Sequence, residues 1–216
     1  ICGITREEDA LLATALGADA VGFIFAPSVR QVAPLAARDM VRQLPADIMT
    51  VGVFRDATKE KVLETVNQVG LRAVQLHGHE RPETCRWIAE RVPVTIRALA
   101  AGSPDLTNFE QFGADVLLLD SPTPGSGEVF DWSLAEGAPS GQRLLLAGGL
   151  TPENVATAIA KVNPWGVDVA SGVEAESGRK DPRKLRAFIT AAQAAEVEEY
   201  QGTEKRPFDW EEGLWN

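Results

Sequence analysis

Residues Gly17–Val21 read "GADAV", and the same plan returns as "GLRAV" at Gly70–Val74 and "FGADV" at Phe112–Val116. A glycine after a helical stretch closes it, because glycine tolerates the left-handed conformation that ends helices, and the small and apolar residues that follow start an extended run. Around these three points the chain alternates short apolar runs with segments whose apolar residues recur every three or four positions. The runs are "ICGI", "AVGFIF", "MTVGVF", "AVQLHG", "VTIRAL", "VLLLDS", "RLLLAGG" and "GVDVAS", eight in all. Their starts lie roughly 20 to 30 residues apart, the length of a strand–helix unit. Near-continuous apolar strands are those of a parallel sheet covered on both faces.

Eight such units predict an α/β fold: a single (β/α)8 TIM barrel with a parallel eight-stranded core. A doubly wound sheet would place a glycine fingerprint after its first strand, and no GxGxxG follows "ICGI". Helix starts are marked by Thr5 with Glu8 as a capping box, and by Ser103-Pro104, Thr151-Pro152 and Asp181-Pro182, each a cap residue before a proline. Residues 1–195 form the predicted barrel. Residues 196–216 form an acidic C-terminal extension, with seven acidic residues against Lys205 and Arg206 and with Trp210 and Trp215. That segment reads as a surface extension or a partner-binding peptide.

Composition narrows the function classes. A net charge of -10 argues against nucleic acid, whose phosphates need a basic surface. No apolar run approaches the roughly 20 residues of a membrane helix, and no secretory signal is visible, so the expected compartment is the cytoplasm. Two cysteines, Cys2 and Cys85, rule out a disulfide framework.

In barrels of this kind the chemistry sits at the C-terminal ends of the strands and in the loops after them. With a helix starting at Thr5, Cys2 falls near that rim; taken alone, it reads first as a small core residue. Asp120 ends an all-aliphatic run, where an unpaired buried carboxylate would be costly, so it is either a loop cap or a functional acid. The stretch Pro122–Gly127 reads as a lid over it. "LAGGLTPENV" and "VDVASGVE" place Gly148, Gly149, Ser171 and Gly172 in the loops after the last two strands, where backbone N–H groups can cradle a phosphate. Arg30, in the loop after the second strand, could hold a second anion by a bidentate contact. "HGH" at His77–His79 invites a metal reading, but no set of three or four ligands with suitable spacing accompanies it.

Taken in order, "ICGIT", "GADAVGFIF", "VGVF", "VQLHG", "LLLD…GSGEVFDW", "LAGGLTPENV" and "VDVASGVE…G…KD" resemble the signature blocks of the phosphoribosylanthranilate isomerase family of tryptophan biosynthesis. The resemblance runs from Ile1 to about Ala192. It implies an Amadori rearrangement of N-(5-phosphoribosyl)anthranilate to 1-(2-carboxyphenylamino)-1-deoxyribulose 5-phosphate, with a small phosphorylated substrate and with neither cofactor nor metal. A monomer or a homodimer is expected. The resemblance places the general base at Cys2 and the general acid at Asp120. Arg30 falls beside the anthranilate carboxylate, His77 and Asp168 within reach of the opened sugar, and Gly148, Gly149, Ser171 and Gly172 in the phosphate loops. Cys85 has no role and is expected to pack.

These roles make opposite demands, since a thiol must be partly ionised and a carboxylic acid protonated at the same pH. Cationic groups near Cys2, with Arg97 as a contributor, would help to lower the thiol's pKa. Three departures stand out. "FAPSVRQVAP" is one residue shorter than usual and lacks its aromatics, Glu128 replaces a common lysine, and the charged residues that usually precede "ICGIT" are missing. The last suggests that the first strand needs residues upstream of Ile1 for full pairing. Two further readings stay open: another phosphate-binding barrel enzyme, which would use paired aspartates or a metal, and a non-catalytic barrel whose tail binds a partner.

Overall fold

Alternation along each strand decides which residues face inward and which meet the helices. In the computed structural model, which describes residues 1–121 and 141–195, Met49, Val51, Ala73, Val94, Ile96, Ala98, Val116 and Leu118 form one apolar cluster on the inner face of the sheet. The intervening Val74, Leu76, Leu99, Leu117 and Leu119 pack outward in the larger cluster with Val62, Val66, Ile88, Leu106, Phe109 and Leu185. Fully burying a leucine such as Leu117 stabilises the fold by roughly 1.5–3 kcal/mol, so this outer layer is what clamps helices to strands.

The strands are β1 (Ala20–Ile24), β2 (Met49–Phe54), β3 (Ala73–Leu76), β4 (Val94–Ala100), β5 (Val116–Asp120), β6 (Arg143–Leu146) and β7 (Gly166–Val167). They form one parallel sheet in sequence order. Helices α1 (Glu7–Ala15), α2 (Pro34–Val41), α3 (Lys59–Val69), α4 (Pro82–Ala89), α5 (Val155–Val162) and α6 (Pro182–Gln193) link or follow them. The connection after β4 is instead a 3-10 segment, Pro104–Phe112, kinked at Asn108. A short antiparallel hairpin, β8 (Glu174–Glu176) with β9 (Arg179–Lys180), follows β7.

The sheet has seven strands among the described residues, where the sequence predicts eight. The missing one is "ICGI". Ile1–Ile4 lies between the two edges of the sheet: Gly22 N–H donates to the Ile1 carbonyl and Ile4 N–H to the Gly22 carbonyl, both at 2.9 Å, while Cys2 N–H donates to Val169 at 2.9 Å. Gly3, at φ +71°, leaves the extended region and interrupts the ladder.

Two helix starts also differ from expectation. Thr5 caps nothing; α1 begins after Arg6 with no side-chain cap, and the Thr5 hydroxyl donates instead to the carbonyl of Gly178, 173 residues away. Thr151-Pro152 opens a turn, and α5 starts only at Val155, after Asn154 has used its side chain to bind Thr151 N–H and the Gly149 carbonyl. Ser103 and Asp181 do cap, each accepting from backbone N–H groups two or three residues on. Gly70 and Gly113 close their helices in the left-handed conformation, as the repeated motif predicts. No helix among the described residues is long and apolar enough to cross a membrane. The segment Pro122–Gly127, Glu128 and the acidic extension from Glu196 lie outside the described residues.

Candidate active site

Period-two alternation carries Asp120 to the inner face, two residues beyond Leu118 on β5, and His77 to the same face, two beyond Gln75 on β3. They meet there: His77 Nε2 stands 3.2 Å from Asp120 Oδ2. Asp120 Oδ1 accepts the N–H of Ser121 at 2.7 Å. On its other side, the His77 ring places Nδ1 2.9 Å from the side-chain nitrogen of Gln75. The Gln75 amide nitrogen can only donate, so Nδ1 accepts and the ring proton of neutral His77 sits on Nε2, facing the carboxylate. Gln75 is 4% exposed and is a functional neighbour that its place in a plain β-strand run gave no reason to single out.

Cys2 is buried, with its thiol against Gly22 of β1; a Cβ built on Gly22 would lie 3.0 Å from Sγ, which is why the strand has a glycine there. The surroundings push the thiol up to about 12. Burial is the main cause and the Asp168 charge adds to it, while Lys180 opposes both. The expected lowering of the thiol's pKa is therefore not found in the protein alone. Arg97 does not contribute, because it alternates onto the outer face of β4, where it binds Glu80 at 2.7 Å and the carbonyls of Leu76 and Gly78 at 3.0 Å.

Asp168 follows β7 directly, its N–H bonded to Leu146 at 2.8 Å. Burial raises its pKa and the neighbouring Asp120 charge raises it further, against Lys180 and His77. Asp168 thus feels both catalytic candidates, Cys2 and Asp120. Cys2 and Asp168 line a cavity of about 390 Å³ inside the sheet, and His77 and Asp120 line one of about 620 Å³ at the strand ends. Arg30 and the four loop residues Gly148, Gly149, Ser171 and Gly172 line neither.

The glycines of these loops have a packing reason. Gly148 has φ +84°, and a Cβ there would come within 2.4 Å of Ser121 N and 2.9 Å of Asp120 Oδ1. A Cβ on Gly172 would lie 1.9 Å from the Leu150 carbonyl. The loop after β6 is thereby pressed against Asp120 on one side and against the loop after β7 on the other. Ser171 and Gly172 open a 3-10 turn, Ser171–Val173, in that second loop.

Arg30 is where the structure adds most to the sequence. Its Nε and Nη2 each donate to Glu174 at 2.7 Å, a bidentate pair. Glu174 also accepts from Lys180 Nζ at 3.2 Å. Burial works against the Glu174 charge, but the two cations outweigh it and hold its carboxyl below the usual value. Glu174 and Lys180 stand within the block "VDVASGVE…G…KD" but went without a role in the sequence, because the partners that reveal one, Arg30 and the Cys2 carbonyl, lie 144 and 178 residues away.

His79 diverges from His77: it is exposed and its N–H binds Asp56 Oδ1 at 2.6 Å. Cys85 is wholly buried, as expected of a packing residue.

Comparison with known proteins supplies the family. The profile of a family described as N-(5'phosphoribosyl)anthranilate (PRA) isomerase matches residues 1–191. An N-(5'-phosphoribosyl)anthranilate isomerase of Desulforudis audaxviator is 46% identical over 202 residues, covering 90% of this chain and 97% of that protein. The crystal structure of phosphoribosyl anthranilate isomerase from Thermus thermophilus superposes with a TM-score of 0.84 at 42% identity, covering 89% of this chain and 96% of that one. A phosphoribosyl anthranilate isomerase solved in complex with reduced 1-(o-carboxyphenylamino)-1-deoxyribulose 5-phosphate superposes at 0.78, with 43% identity and coverage of 89% and 96%. By sequence and by fold, this chain belongs to the N-(5'-phosphoribosyl)anthranilate isomerase family.

Proposed function

We propose that this isomerase carries out the Amadori rearrangement of N-(5-phosphoribosyl)anthranilate, in tryptophan biosynthesis, with Asp120 as general acid and Cys2 as general base. The observation that supports the assignment is the placement of the groups: Asp120 faces His77 at 3.2 Å at the strand ends, and Cys2 shares the cavity inside the sheet with Asp168, whose charge acts on it. Asp120 gives a proton to the furanose ring oxygen, the C1′–O bond breaks, and the nitrogen lone pair forms a cationic Schiff base. Cys2 then takes the C2′ proton, and the enolamine tautomerises to the ketone. The substrate exchanges only protons with the protein, and the shift of electrons from C2′ to C1′ is internal, so the sequence of steps needs no external oxidant or reductant.

The high resting pKa of Cys2 fits this order of events. The thiol stays protonated until the Schiff base places a positive charge beside it, which favours the thiolate; the thiol's proton then passes to the neighbouring Asp168 carboxylate, leaving Cys2 free to take the C2′ proton. Asp168, whose own pKa is raised, becomes neutral more easily than an ordinary aspartate and then ceases to oppose the thiolate. Proton transfer between positioned groups of this kind contributes roughly 10²–10⁴-fold to rate.

The phosphate fits the paired loops at Gly148–Gly149 and Ser171–Gly172, and the anthranilate carboxylate fits Arg30. Arg30 uses Nε and Nη2 on Glu174, and among the described residues Nη1 has no such partner. The glutamate thus holds the guanidinium flat for a second carboxylate. Ile1–Ile4, bonded to both sheet edges, serves as the eighth stave that closes a barrel within residues 1–195.

The test is to generate phosphoribosylanthranilate in situ and follow its fluorescence decay. Rapid decay with the parent and losses of at least about 10²-fold in folded Cys2→Ala and Asp120→Asn support the pair of roles. No decay by the folded parent would overturn the reading.

A further inference from the structure

Lys180 is a fully buried ammonium at 0% side-chain exposure, and the proton transfers above make no use of it. Its three N–H donors have three acceptors: the carbonyl of Cys2 at 2.7 Å, the carbonyl of Ala170 at 2.9 Å and Glu174 Oε1 at 3.2 Å. Its own backbone N–H is tied to Asp9 Oδ2 of α1 at 3.0 Å. Register within the hairpin places it, since Lys180 pairs with Glu174 across β8 and β9.

Two of these acceptors belong to functional backbone. Cys2 carries the thiol, and Ala170 immediately precedes Ser171 and Gly172. The Cys2 peptide also lies where the ladder fails, because Gly3 departs from the extended region. Val169 fixes Cys2 by its N–H and Lys180 fixes it by its carbonyl. Both anchors come from the β7 end of the molecule. Burial pulls the ammonium below its usual pKa and Glu174 opposes that pull. A buried ion pair is a weak source of net stability, since desolvation offsets most of the attraction. Its geometric effect is specific: one nitrogen fixes the distance between the Cys2 loop and the Ala170–Gly172 loop.

We propose that Lys180 is a positioning residue for catalysis, holding the thiol-bearing backbone of Cys2 and the phosphate loop at Ala170–Gly172 in one fixed relation. The inference rests on the reading of Cys2 as base. A substrate bound by its phosphate then presents C2′ at a set distance from Sγ, and misplacement by about 1 Å can cost on the order of 10²-fold in rate.

The experiment compares kcat and KM of the full-length parent, Lys180→Met, Lys180→Arg and Cys2→Ala, with circular dichroism and thermal midpoint as the check on folding. Folded Lys180→Met is expected to lose about 10²-fold in kcat and to raise KM by roughly three- to tenfold, because both the base and the phosphate loop shift. Lys180→Arg keeps the charge but not the compact three-way geometry, and is expected to recover only part of kcat. A folded Lys180→Met with a lower thermal midpoint but kcat and KM within about twofold of the parent would mean a merely structural role and overturn the proposal. If Lys180→Met does not fold, Lys180→Arg decides: a loss of about tenfold or more in kcat supports the proposal, and a parent-like kcat overturns it. Parent-like turnover by Cys2→Ala would remove the base assignment itself, a failure distinct from any result at residue 180.

Discussion

His77 Nε2 faces Asp120 Oδ2 at 3.2 Å, and Gln75 holds the opposite ring nitrogen at 2.9 Å. The relay fixes the tautomer of His77 and, through it, the direction from which the carboxyl of Asp120 meets a ring oxygen.

Disturbing that relay should slow ring opening without unfolding the protein. His77→Ala is expected to lower kcat by roughly ten- to a hundredfold, and Gln75→Leu, which frees the ring to adopt either tautomer, by a smaller factor. Steady-state kinetics on both variants checks this. Parent-like kcat in His77→Ala would show that the contact with Asp120 is idle.

The thiol of Cys2 should behave as a poor nucleophile at neutral pH. Its folded value of about 12 lies above that of an ordinary cysteine, so the thiolate fraction keeps rising with pH well past the point where a free thiol has levelled off. Alkylation by iodoacetamide, followed by mass spectrometry at Cys2, is expected to climb without a plateau up to about pH 10. Because the folded pKa is raised, the neutral form is the one folding favours. Its contribution to stability is fully present below about 8.5, where the unfolded thiol titrates, and is lost progressively as the pH rises from there through the folded value. A plateau near pH 8.5 would contradict the burial argument.

Arg97 and Glu80 lie at 2.7 Å with side chains 4% and 2% exposed, and Glu80 also accepts the N–H groups of Asp56 and Gly78 at 2.9 Å. Glu80→Ala leaves Arg97 as an uncompensated buried charge and should cost about 3–5 kcal/mol. The double variant Arg97→Met, Glu80→Ala removes that charge and should recover part of the loss, but not the loop bonds. Urea midpoints of the single and double variants test the coupling, and simple additivity would refute it.

The order of the seven strands, the helix-closing glycines and the position of Asp120 at the end of its strand were legible in the sequence, whereas Cys2 lies in a segment that is no strand, level with Gly22 in β1. The legible features are local properties: a period of two, a left-handed glycine, and a polar residue at the end of an apolar run decide them wherever the rest of the chain goes. The family blocks were legible for the same reason.

Tertiary structure alone decided the partners. Thr5 reads as a cap beside Glu8, yet its hydroxyl goes to Gly178. Arg30 reads as a free anion-binding arginine, yet it is paired with Glu174, 144 residues on. The carbonyl of Cys2 is held by Lys180, separated from it by 178 residues. The state of the thiol was also set there, because burial and the Asp168 charge outweigh the cations that oppose them. A hydrogen bond or a desolvation cost depends on what lies within a few ångströms in space. Where Ile1–Ile4 bonds both to β1 and to Val169 beyond β7, those neighbours come from opposite ends of the sequence, where no local pattern announces them.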